Sequence, residues 1–301
     1  MNERSSSRTY PDEASQPRKM RGFIDVEHVF GIDFSGAAQA GNNAWLAKLH
    51  GDGSEQLVLK QLKPLRSLAG NAARAEVCRY LVDRIRGSGH SIWGMDFPFG
   101  LPIELGLVGW TRQLQHVAHH EGDAKSYGRR LVDLSEQRSG KKHVRRATDL
   151  EQKTPFDCYH YRIIYQTFHG MRDVLAPLQN QREIAVLPFQ YSRANHAQTI
   201  VVEACPSSTL KRLQLPHQRY KQSGSKPPSE SQRLVRRRIL AGLRQNVVIS
   251  PYQRSVIMNN PGGDALDAVL AGYGAWQALL RESHAALAKH PRYPREGYVY
   301  C

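Results

Sequence analysis

The chain has 301 residues, a formal net charge of +15 and four cysteines that lie far apart. This length suffices for one large domain or two small ones, and no apolar stretch approaches the roughly 20 residues of a membrane-spanning helix. The cysteine spacing excludes a Cys-x-x-Cys motif and favours a reducing cytoplasm. The excess positive charge favours nucleic acid or another polyanion as partner, the alternative being a basic surface that only aids solubility.

The first predicted strand ends in an acid. Residues Val29–Gly36 form an apolar run that leads to Asp33, a small hydroxyl residue and a glycine. Such a run predicts a buried strand that delivers one carboxylate to the rim of a sheet. Two further predicted strands, Ala44–Leu49 and Gln56–Lys60, are separated by a Gly-rich turn, and the three strands together predict an antiparallel meander.

A second acid follows the next predicted strand. Residues Asn71–Arg86 have apolar side chains at helical spacing, and the apolar run that begins at Ser91 ends at Asp96. A helix between two strands predicts a crossover connection, so the strand before Asp96 should run parallel to the strand before Asp33. The two carboxylates are therefore expected at the same edge of the sheet.

The chain is predicted to contain one folded domain. Residues 1–22 have no apolar segment and predict a disordered tail, so the domain should span residues 23–295. Within it, residues 105–150 are rich in basic side chains and lack a strand period. We predict an insertion or lid with short helices there.

A helix is predicted after this insertion. Thr154 and Pro155 are typical of a helix start, and Pro177 should end the helix. Its apolar side chains form one stripe, which predicts a face turned towards the core. The stripe consists of Tyr161, Ile164, Tyr165, Phe168, Met171 and Leu175.

More acids and most of the basic excess lie in the C-terminal third. Thr199–Pro206 predicts another acid-ended strand, which carries Glu203. From Lys211 to Arg254 there are eleven Lys and Arg residues and one acid. A long apolar helix is predicted from Asp264 to about Lys289, and its acids Asp264 and Asp267 share a face because they are three residues apart.

Clustered carboxylates repel one another unless a cation lies among them, and Mg²⁺ or Mn²⁺ prefers such oxygen ligands. Two such ions about 4 Å apart can activate a water and stabilise the leaving oxygen of a phosphodiester. Asp267 inside an apolar stripe would be costly without a partner, which favours a ligand role. Structural alternatives remain: Asp33 and Asp96 could cap turns, Asp264 could be a helix N-cap, and Glu203 could pair with an arginine.

Four basic residues are candidates for contacts with substrate phosphates: Arg145, Arg146, Lys211 and Arg212. For the two arginines, a surface ion pair with Asp149 is the alternative. The His-x-x-His-His motif that begins at His116 has helical zinc-ligand spacing but lacks a Cys or an acid in register. The sequence contains neither a P-loop motif nor a Gly-x-Ser-x-Gly nucleophile elbow.

Taken together and in this order, the motifs resemble the family called domain of unknown function 429 (DUF429), predicted nucleases of the ribonuclease H-like superfamily. The resemblance extends from about residue 28 to residue 280. The matching motifs are Gly31–Gly36, Met95–Pro102, Arg145–Asp149, Val202–Pro206, Thr209–Arg212 and Gly263–Ala268.

The resemblance implies an α/β fold with a ribonuclease H-like mixed five-stranded sheet, made of an antiparallel meander plus parallel strands and flanked by helices. It implies catalytic, metal-binding acids at Asp33, at Asp96 and at Asp264 or Asp267, with Glu203 on the fifth strand. The expected function is Mg²⁺- or Mn²⁺-dependent hydrolysis of phosphodiester bonds in nucleic acid.

Two other functions are compatible with the sequence. One is a non-catalytic nucleic-acid-binding module on the same fold. The other is a nucleotide-binding protein of the actin-like ATPase or sugar-kinase type, whose first strand also ends in an Asp followed by a small Gly/Ser-rich turn. That architecture needs a second Gly-rich phosphate loop, which the sequence lacks.

Overall fold

The computed structural model describes residues 26–51, 56–222, 224 and 226–301. These residues form a mixed eight-stranded sheet flanked by helices, which confirms the predicted α/β class. The disordered tail predicted for residues 1–22 lies outside the described residues, as does most of the Gly-rich turn after the second strand.

The sheet places the ends of its parallel strands along one edge. Its strands are β1 (His28–Asp33), β2 (Trp45–Gly51), β3 (Leu57–Pro64), β4 (Ser91–Met95), β5 (Ile184–Leu187), β6 (Thr199–Ala204), β7 (Val247–Val248) and β8 (Val299–Tyr300). Their order is β5-β6-β4-β1-β2-β3-β7, and β8 pairs with β6. The first three strands are the predicted antiparallel meander, and β4, β6 and β5 run parallel to β1. The carboxyl ends of β1, β4 and β6 therefore meet at the same edge.

The prediction of five strands is wrong for the described sheet, which has eight. The central order β3-β2-β1-β4-β6 contains the predicted meander and parallel strands. The additional strands lie at its two sides, β7 beside β3 and both β5 and β8 beside β6. Two of them, β7 and β8, have only two residues each and cannot show an alternating pattern. The third, β5, is a run of four apolar residues, which a sequence pattern does not distinguish from a buried helical turn.

Helices cover both faces of the sheet. They are α1 (Leu65–Ala69), α2 (Arg74–Arg86), α3 (Trp110–Ala118), α4 (Ala124–Ser139), α5 (Ala147–Glu151), α6 (Ile164–His169), α7 (Ala176–Leu178), α8 (Pro206–Arg212), α9 (Glu230–Leu243), α10 (Pro251–Asn259), α11 (Asp264–Arg281), α12 (His284–Lys289) and α13 (Tyr293–Glu296). Residues 105–150, predicted as an insertion with short helices, contribute α3, α4 and α5. Helices α3 and α4 bury Trp110 and Tyr127 in the same core as Phe30 and Trp93 of the sheet.

The helix predicted after Thr154 begins later than expected. Thr154 and Pro155 lie in a loop, and α6 begins at Ile164. A π-helical segment, Gly170–Leu175, joins α6 to α7. Helix α7 continues through Pro177, which therefore does not end the helix as predicted. Of the predicted core stripe, Ile164, Phe168, Met171 and Leu175 are buried. Tyr161 and Tyr165 are 71% and 41% exposed. Tyr161 precedes the helix, and Tyr165 is one residue off the buried stripe, so neither follows its periodicity.

Helix α11 lies unusually close to the centre of the sheet. Gly31 of β1 and Gly94 of β4 are register partners, and both lie under α11. A Cβ on Gly31 would lie 2.8 Å from the Cα of Gly272 and overlap the carbonyl oxygen of Ala268, and one on Gly94 would lie 2.6 Å from the Cβ of Ala275. Small residues on both surfaces therefore set the depth at which the helix packs.

The long C-terminal helix predicted to reach about Lys289 is divided in two. Helix α11 ends at Arg281, where Glu282 adopts an extended backbone. The side chain of Ser283 then accepts a hydrogen bond from the N–H of Ala286 and caps α12. The prediction missed the break because Ser283 lies between two segments with similar apolar content.

All four cysteines are buried and unpaired with one another: Cys78, Cys158, Cys205 and Cys301. Burial raises the pKa of Cys78 and of Cys205 to about 12.

Among the helices formed by the described residues, none combines the length and apolarity that crossing a membrane requires.

Candidate functional site

Three acids from distant parts of the chain meet at the carboxyl edge of the sheet. Each of Asp33, Asp96 and Asp267 offers a carboxylate oxygen, and these oxygens all lie within 4.8 Å of one another. Asp33 is the last residue of β1, and Asp96 directly follows β4. The N–H of Asp96 donates a 2.9 Å hydrogen bond to the carbonyl oxygen of Ile32, which holds the two strand ends together. The predicted convergence of these acids is therefore present.

The third acid is supplied by the first turn of α11. Asp267 is 1% exposed, and side-chain alternation along β1 puts Asp33 on the same face as Gly31, the face against which α11 packs. The close approach of α11 to Gly31 thus brings Asp267 over the ends of β1 and β4. Between the two candidates on this helix, Asp267 rather than Asp264 joins the group.

Asp264 lies at the outer end of α11 and is partly exposed. It is not the N-cap, which is Gly263 in a left-handed conformation with φ of 82°. Asn260 serves this end of the helix, because its side-chain oxygen accepts a hydrogen bond from the N–H of Ala265. Burial and the nearby carboxylate of Asp267 raise the pKa of Asp264.

A dipeptide that the sequence analysis missed completes the site. The hydroxyl of Tyr220 donates a 2.8 Å hydrogen bond to Oδ1 of Asp267, and the ammonium of Lys221 forms an ion pair with Oδ2 of the same carboxylate. Lys221 is half-exposed and reaches the acids from the solvent side. The Lys221 ammonium thus places a positive charge beside the carboxylates of the three acids.

Electrostatics of the site follow from burial and crowding. Burial and the carboxylate of Asp267 raise the pKa of Asp33 well above its ordinary value and raise the pKa of Asp96 to about 7. Burial lowers the pKa of Lys221, but the surrounding Asp267, Tyr220 and Asp33 outweigh this effect and keep that pKa well above its usual range. The carboxylates of Asp33 and Asp96 therefore take up a proton more readily than ordinary aspartates do.

The loop that carries Tyr220 and Lys221 is anchored by a buried arginine. Arg236 of α9 is fully buried, and its guanidinium donates to the carbonyl oxygens of Tyr220 (2.7 Å), Ile257 (2.9 Å), Asn260 (2.6 Å) and Pro261 (2.8 Å). It thus ties the loop to the segment that leads into α11. The predicted basic helix therefore has an internal role at this position rather than only a charged surface.

Glu203 belongs to a different cluster. On β6 it alternates with Val202 and shares the side of Val201, which packs into the core on the face opposite α11. Its carboxylate accepts hydrogen bonds from Arg146 (2.5 and 2.8 Å) and from the N–H of Phe99 (2.9 Å). The alternative that Glu203 pairs with an arginine is the arrangement that the structure shows.

Arg146 is also not available for phosphate. It is 1% exposed, and its five N–H groups are directed at protein acceptors, namely Asp149, Glu203 and the carbonyl oxygens of Gly100 and Glu296. The predicted ion pair with Asp149 exists but is buried rather than at the surface. The Arg146 cluster forms part of the wall of the cavity.

The other predicted phosphate contacts lie nearer the surface and bind neighbouring loops. Arg145 donates to the carbonyl oxygens of Thr154 and Pro155, Lys211 to that of Lys153, and Arg212 to the side chain of Gln152. In the His-x-x-His-His motif, a ring nitrogen of His116 contacts the hydroxyl of Tyr127, and a ring nitrogen of His120 contacts the hydroxyl of Ser126.

The acids lie at the floor of a cavity of about 440 Å³. Its walls combine apolar side chains such as Phe97, Phe156 and Ile163 with Arg219 and Lys221 of the 217–221 loop. This volume lies within the range of sites for small molecules or single nucleotide units. Arg219 and Lys221 give one wall of the cavity positive charge, and the three carboxylates give the opposing part negative charge.

Comparison with protein-family models, with curated proteins and with solved structures gives no significant match to this chain. The resemblance to DUF429 stays a prediction from the motifs. The function must accordingly be inferred from the geometry of the acid group and its cavity.

Proposed function

We propose that this protein is a divalent-metal-dependent nuclease with a ribonuclease H-like catalytic centre. The observation that carries the proposal is the convergence of Asp33, Asp96 and Asp267 on one point, with ligand oxygens within 4.8 Å. The sheet order β3-β2-β1-β4-β6 is compatible with this family of folds. The net charge of +15 supports a polyanionic substrate.

The donor set fits a hard divalent cation. Oxygens around one Mg²⁺ at about 2.1 Å lie roughly 3–4 Å apart, so the most distant pair of carboxylate oxygens has to approach by about 1–2 Å. All three ligands are carboxylates, which suit Mg²⁺ or Mn²⁺ better than Zn²⁺ or Cu²⁺. When bound, such a cation supplies positive charge beside the scissile phosphate and makes a nearby water more nucleophilic.

The protein residues have distinct roles in this proposal. Asp33, Asp96 and Asp267 hold the cation, and the hydroxyl of Tyr220 fixes the orientation of Asp267 by donating to its Oδ1. Oδ2 of Asp267 is then directed at the cation or, without it, at Lys221. Glu203 acts indirectly, since its hydrogen bond to the N–H of Phe99 fixes the segment after Asp96.

A second candidate function, a non-catalytic nucleic-acid-binding module, is favoured by Lys221. Its ammonium forms an ion pair with Asp267 at the position where a divalent cation would bind. If Lys221 remained there in the presence of Mg²⁺, the site would be complete without metal. The protein would then bind nucleic acid through its basic surface and release it unchanged.

The test is cleavage of end-labelled single-stranded, duplex and branched substrates with Mg²⁺, with Mn²⁺ and with EDTA. We expect metal-dependent products from at least one substrate. Asp33→Asn and Asp267→Asn should each reduce the rate at least about 100-fold, since even indirect partners of a metal cost up to that much. Asp83→Asn, an exposed acid of α2, is the matched control and should cleave at the wild-type rate.

Two results would decide against a nuclease. The first is no cleavage of any substrate with either metal. The second is cleavage that Asp33→Asn leaves unchanged, which would indicate a contaminating activity. Salt-sensitive binding without turnover would instead support the binding module.

A further inference from the structure

Two exposed aromatic side chains lie next to residues that line the acid cavity, since Ile163 and Gln166 belong to its lining. Tyr161 and Tyr165 are 71% and 41% exposed, although the sequence pattern assigns both to the core. They belong to the loop and first helical turn that follow Phe156, a residue that lines the cavity. Large aromatic rings exposed beside a charged cavity are candidates for ligand contact, because burying them in the core would otherwise be favourable.

The rings form a series that leads away from the cavity. Phe156 stacks on His160 at a centroid distance of 4.6 Å and an angle of 18°, and His160 lies 4.4 Å from the ring of Tyr161. The guanidinium of Arg162 lies 5.6 Å from the Phe156 ring centre and 5.8 Å from that of Tyr161. The loop thus presents ring faces and a cation together.

This aromatic series is fixed relative to the acids. Gln166 donates a 2.7 Å hydrogen bond to the carbonyl oxygen of Phe34, the residue after Asp33. The turn at Gly36 packs so closely on α6 that a Cβ there would lie 2.6 Å from the backbone nitrogen of Gln166. Tyr165 therefore lies beside the segment that directly follows Asp33.

The surroundings carry positive charge. Exposed Lys141 and Lys142 precede His143, whose ring lies 6.1 Å from that of His160, and Arg145 binds the backbone of Pro155 beside Phe156. Phosphate groups would be attracted to these basic side chains, and the exposed parts of Tyr161 and Tyr165 are accessible to bases. Interleaved aromatic and basic side chains are characteristic of surfaces that bind single-stranded nucleic acid.

We propose that Tyr161, Tyr165 and the Phe156–His160 stack form a binding surface for unpaired bases of single-stranded nucleic acid, whose backbone enters the acid cavity. As a substrate assignment this rests on the proposed nuclease function. Paired bases in a duplex have no free faces for these rings. The surface therefore selects single strands or unpaired ends.

The test is fluorescence anisotropy with labelled 12-nucleotide strands in EDTA, so that no cleavage occurs. The probes are a single strand in ribo and deoxyribo form, a blunt duplex of the same sequence, and an abasic strand of the same length. We expect at least one single strand to bind about tenfold or more tightly than both the duplex and the abasic strand, because each base that stacks on an aromatic ring adds to the binding free energy.

The matched variants separate rings from charge. The double variant Tyr161→Ala/Tyr165→Ala should lose about tenfold in single-strand affinity with an unchanged salt dependence, since no phosphate contact is removed. Tyr161→Phe/Tyr165→Phe should keep wild-type affinity. Tyr252→Ala removes a ring that is 76% exposed on α10 and should have no effect. Equal melting temperatures would establish that all variants fold.

The proposal is overturned if the abasic strand binds as tightly as the normal one, or if the alanine variants bind like wild type. Because binding is measured without metal, this result is independent of the cleavage test. Binding without cleavage would leave the aromatic surface standing and refute the nuclease. Cleavage by the wild type, combined with wild-type binding by the alanine variants, would support the nuclease and refute the aromatic surface.

Discussion

Gly31 of β1 and Gly272 of α11 are packed so tightly that a Cβ on Gly31 would lie 2.8 Å from the Cα of Gly272. This backbone contact determines how deeply α11 lies on the sheet. It thereby determines the distance between Asp267 and Asp33, because each acid is only a few residues from the contact. The geometry of the acid group is thus a consequence of core packing.

The first prediction concerns this contact. Gly31→Ala should destabilise the protein by about 3 kcal/mol or more, because the added methyl meets backbone atoms that cannot rotate away. Gly87→Ala, at a helix end where the nearest atom would be 3.5 Å away, is the control and should change stability little. Urea unfolding measures both. A Gly31→Ala variant as stable as wild type would show that α11 packs less closely than described.

The second prediction concerns the counter-charge in the site. Lys221→Met removes the ammonium beside buried Asp267 and should lower stability by about 1–3 kcal/mol without metal. Mg²⁺ or Mn²⁺ should bind this variant more tightly than wild type, since no ammonium has to be displaced. Metal titration followed by thermal unfolding measures both effects, with exposed Lys226→Met as control. Weaker metal binding would instead mean that Lys221 assists the cation.

The third prediction concerns pH. The pKa of Asp96 is about 7 in the folded protein and near 4 when unfolded, so between these values the native state holds a proton that the unfolded state has lost. This contribution to stability falls as pH rises from about 4 to 7. Asp96→Asn should therefore gain stability relative to wild type between pH 5.5 and pH 8.5 in EDTA, by at least about 1 kcal/mol or 2–4 °C.

The comparison in that experiment is the difference between wild type and variant at each pH, which removes the contribution of titrating groups that do not interact with Asp96. Asp83→Asn, which removes an exposed acid of α2, is the control. Added Mg²⁺ should stabilise wild type more at pH 8.5 than at pH 5.5, since protons compete with it for the carboxylates. A difference that does not depend on pH would contradict the raised pKa.

The fourth prediction compares two neighbouring arginines of α9. Arg236→Met should cost about 3 kcal/mol or more, because it leaves several buried carbonyl oxygens without a donor. It should also weaken metal-induced stabilisation, since the loop with Tyr220 and Lys221 loses its anchor. Arg237→Met removes only an exposed ion pair with Glu230 and should change neither property. Similar effects of both substitutions would exclude the anchoring role.

Much of the site was predictable because local patterns determine it. The apolar runs before Asp33 and Asp96 are buried strands, and the crossover between them makes the strands parallel. Asp267, an acid within an apolar helical stripe, is costly without a partner, which marks it as a candidate ligand. Local patterns therefore made all three residues candidates, although they did not decide between Asp267 and Asp264.

Other parts depend on contacts that no local pattern contains. Lys221 lies in a Pro/Gly/Ser-rich segment, and its position is set by the bond from Arg236 to the carbonyl oxygen of Tyr220. Asp33 ends β1 and Glu203 is the residue before the end of β6, but the two acids point to opposite faces, and the sequence does not state on which face α11 packs. Tyr161 resembles a core residue until the start of α6 at Ile164 is known.

The burial of all four thiols has a practical consequence. A sulfhydryl reagent should modify the native protein slowly, because burial raises the pKa of Cys78 and Cys205 to about 12 and keeps the thiols protonated. A single Gln218→Cys substitution in the exposed loop would then accept a maleimide dye selectively, with no need for a cysteine-free background. Such a labelled protein could report, by its emission, when an ion or an oligonucleotide enters the neighbouring cavity.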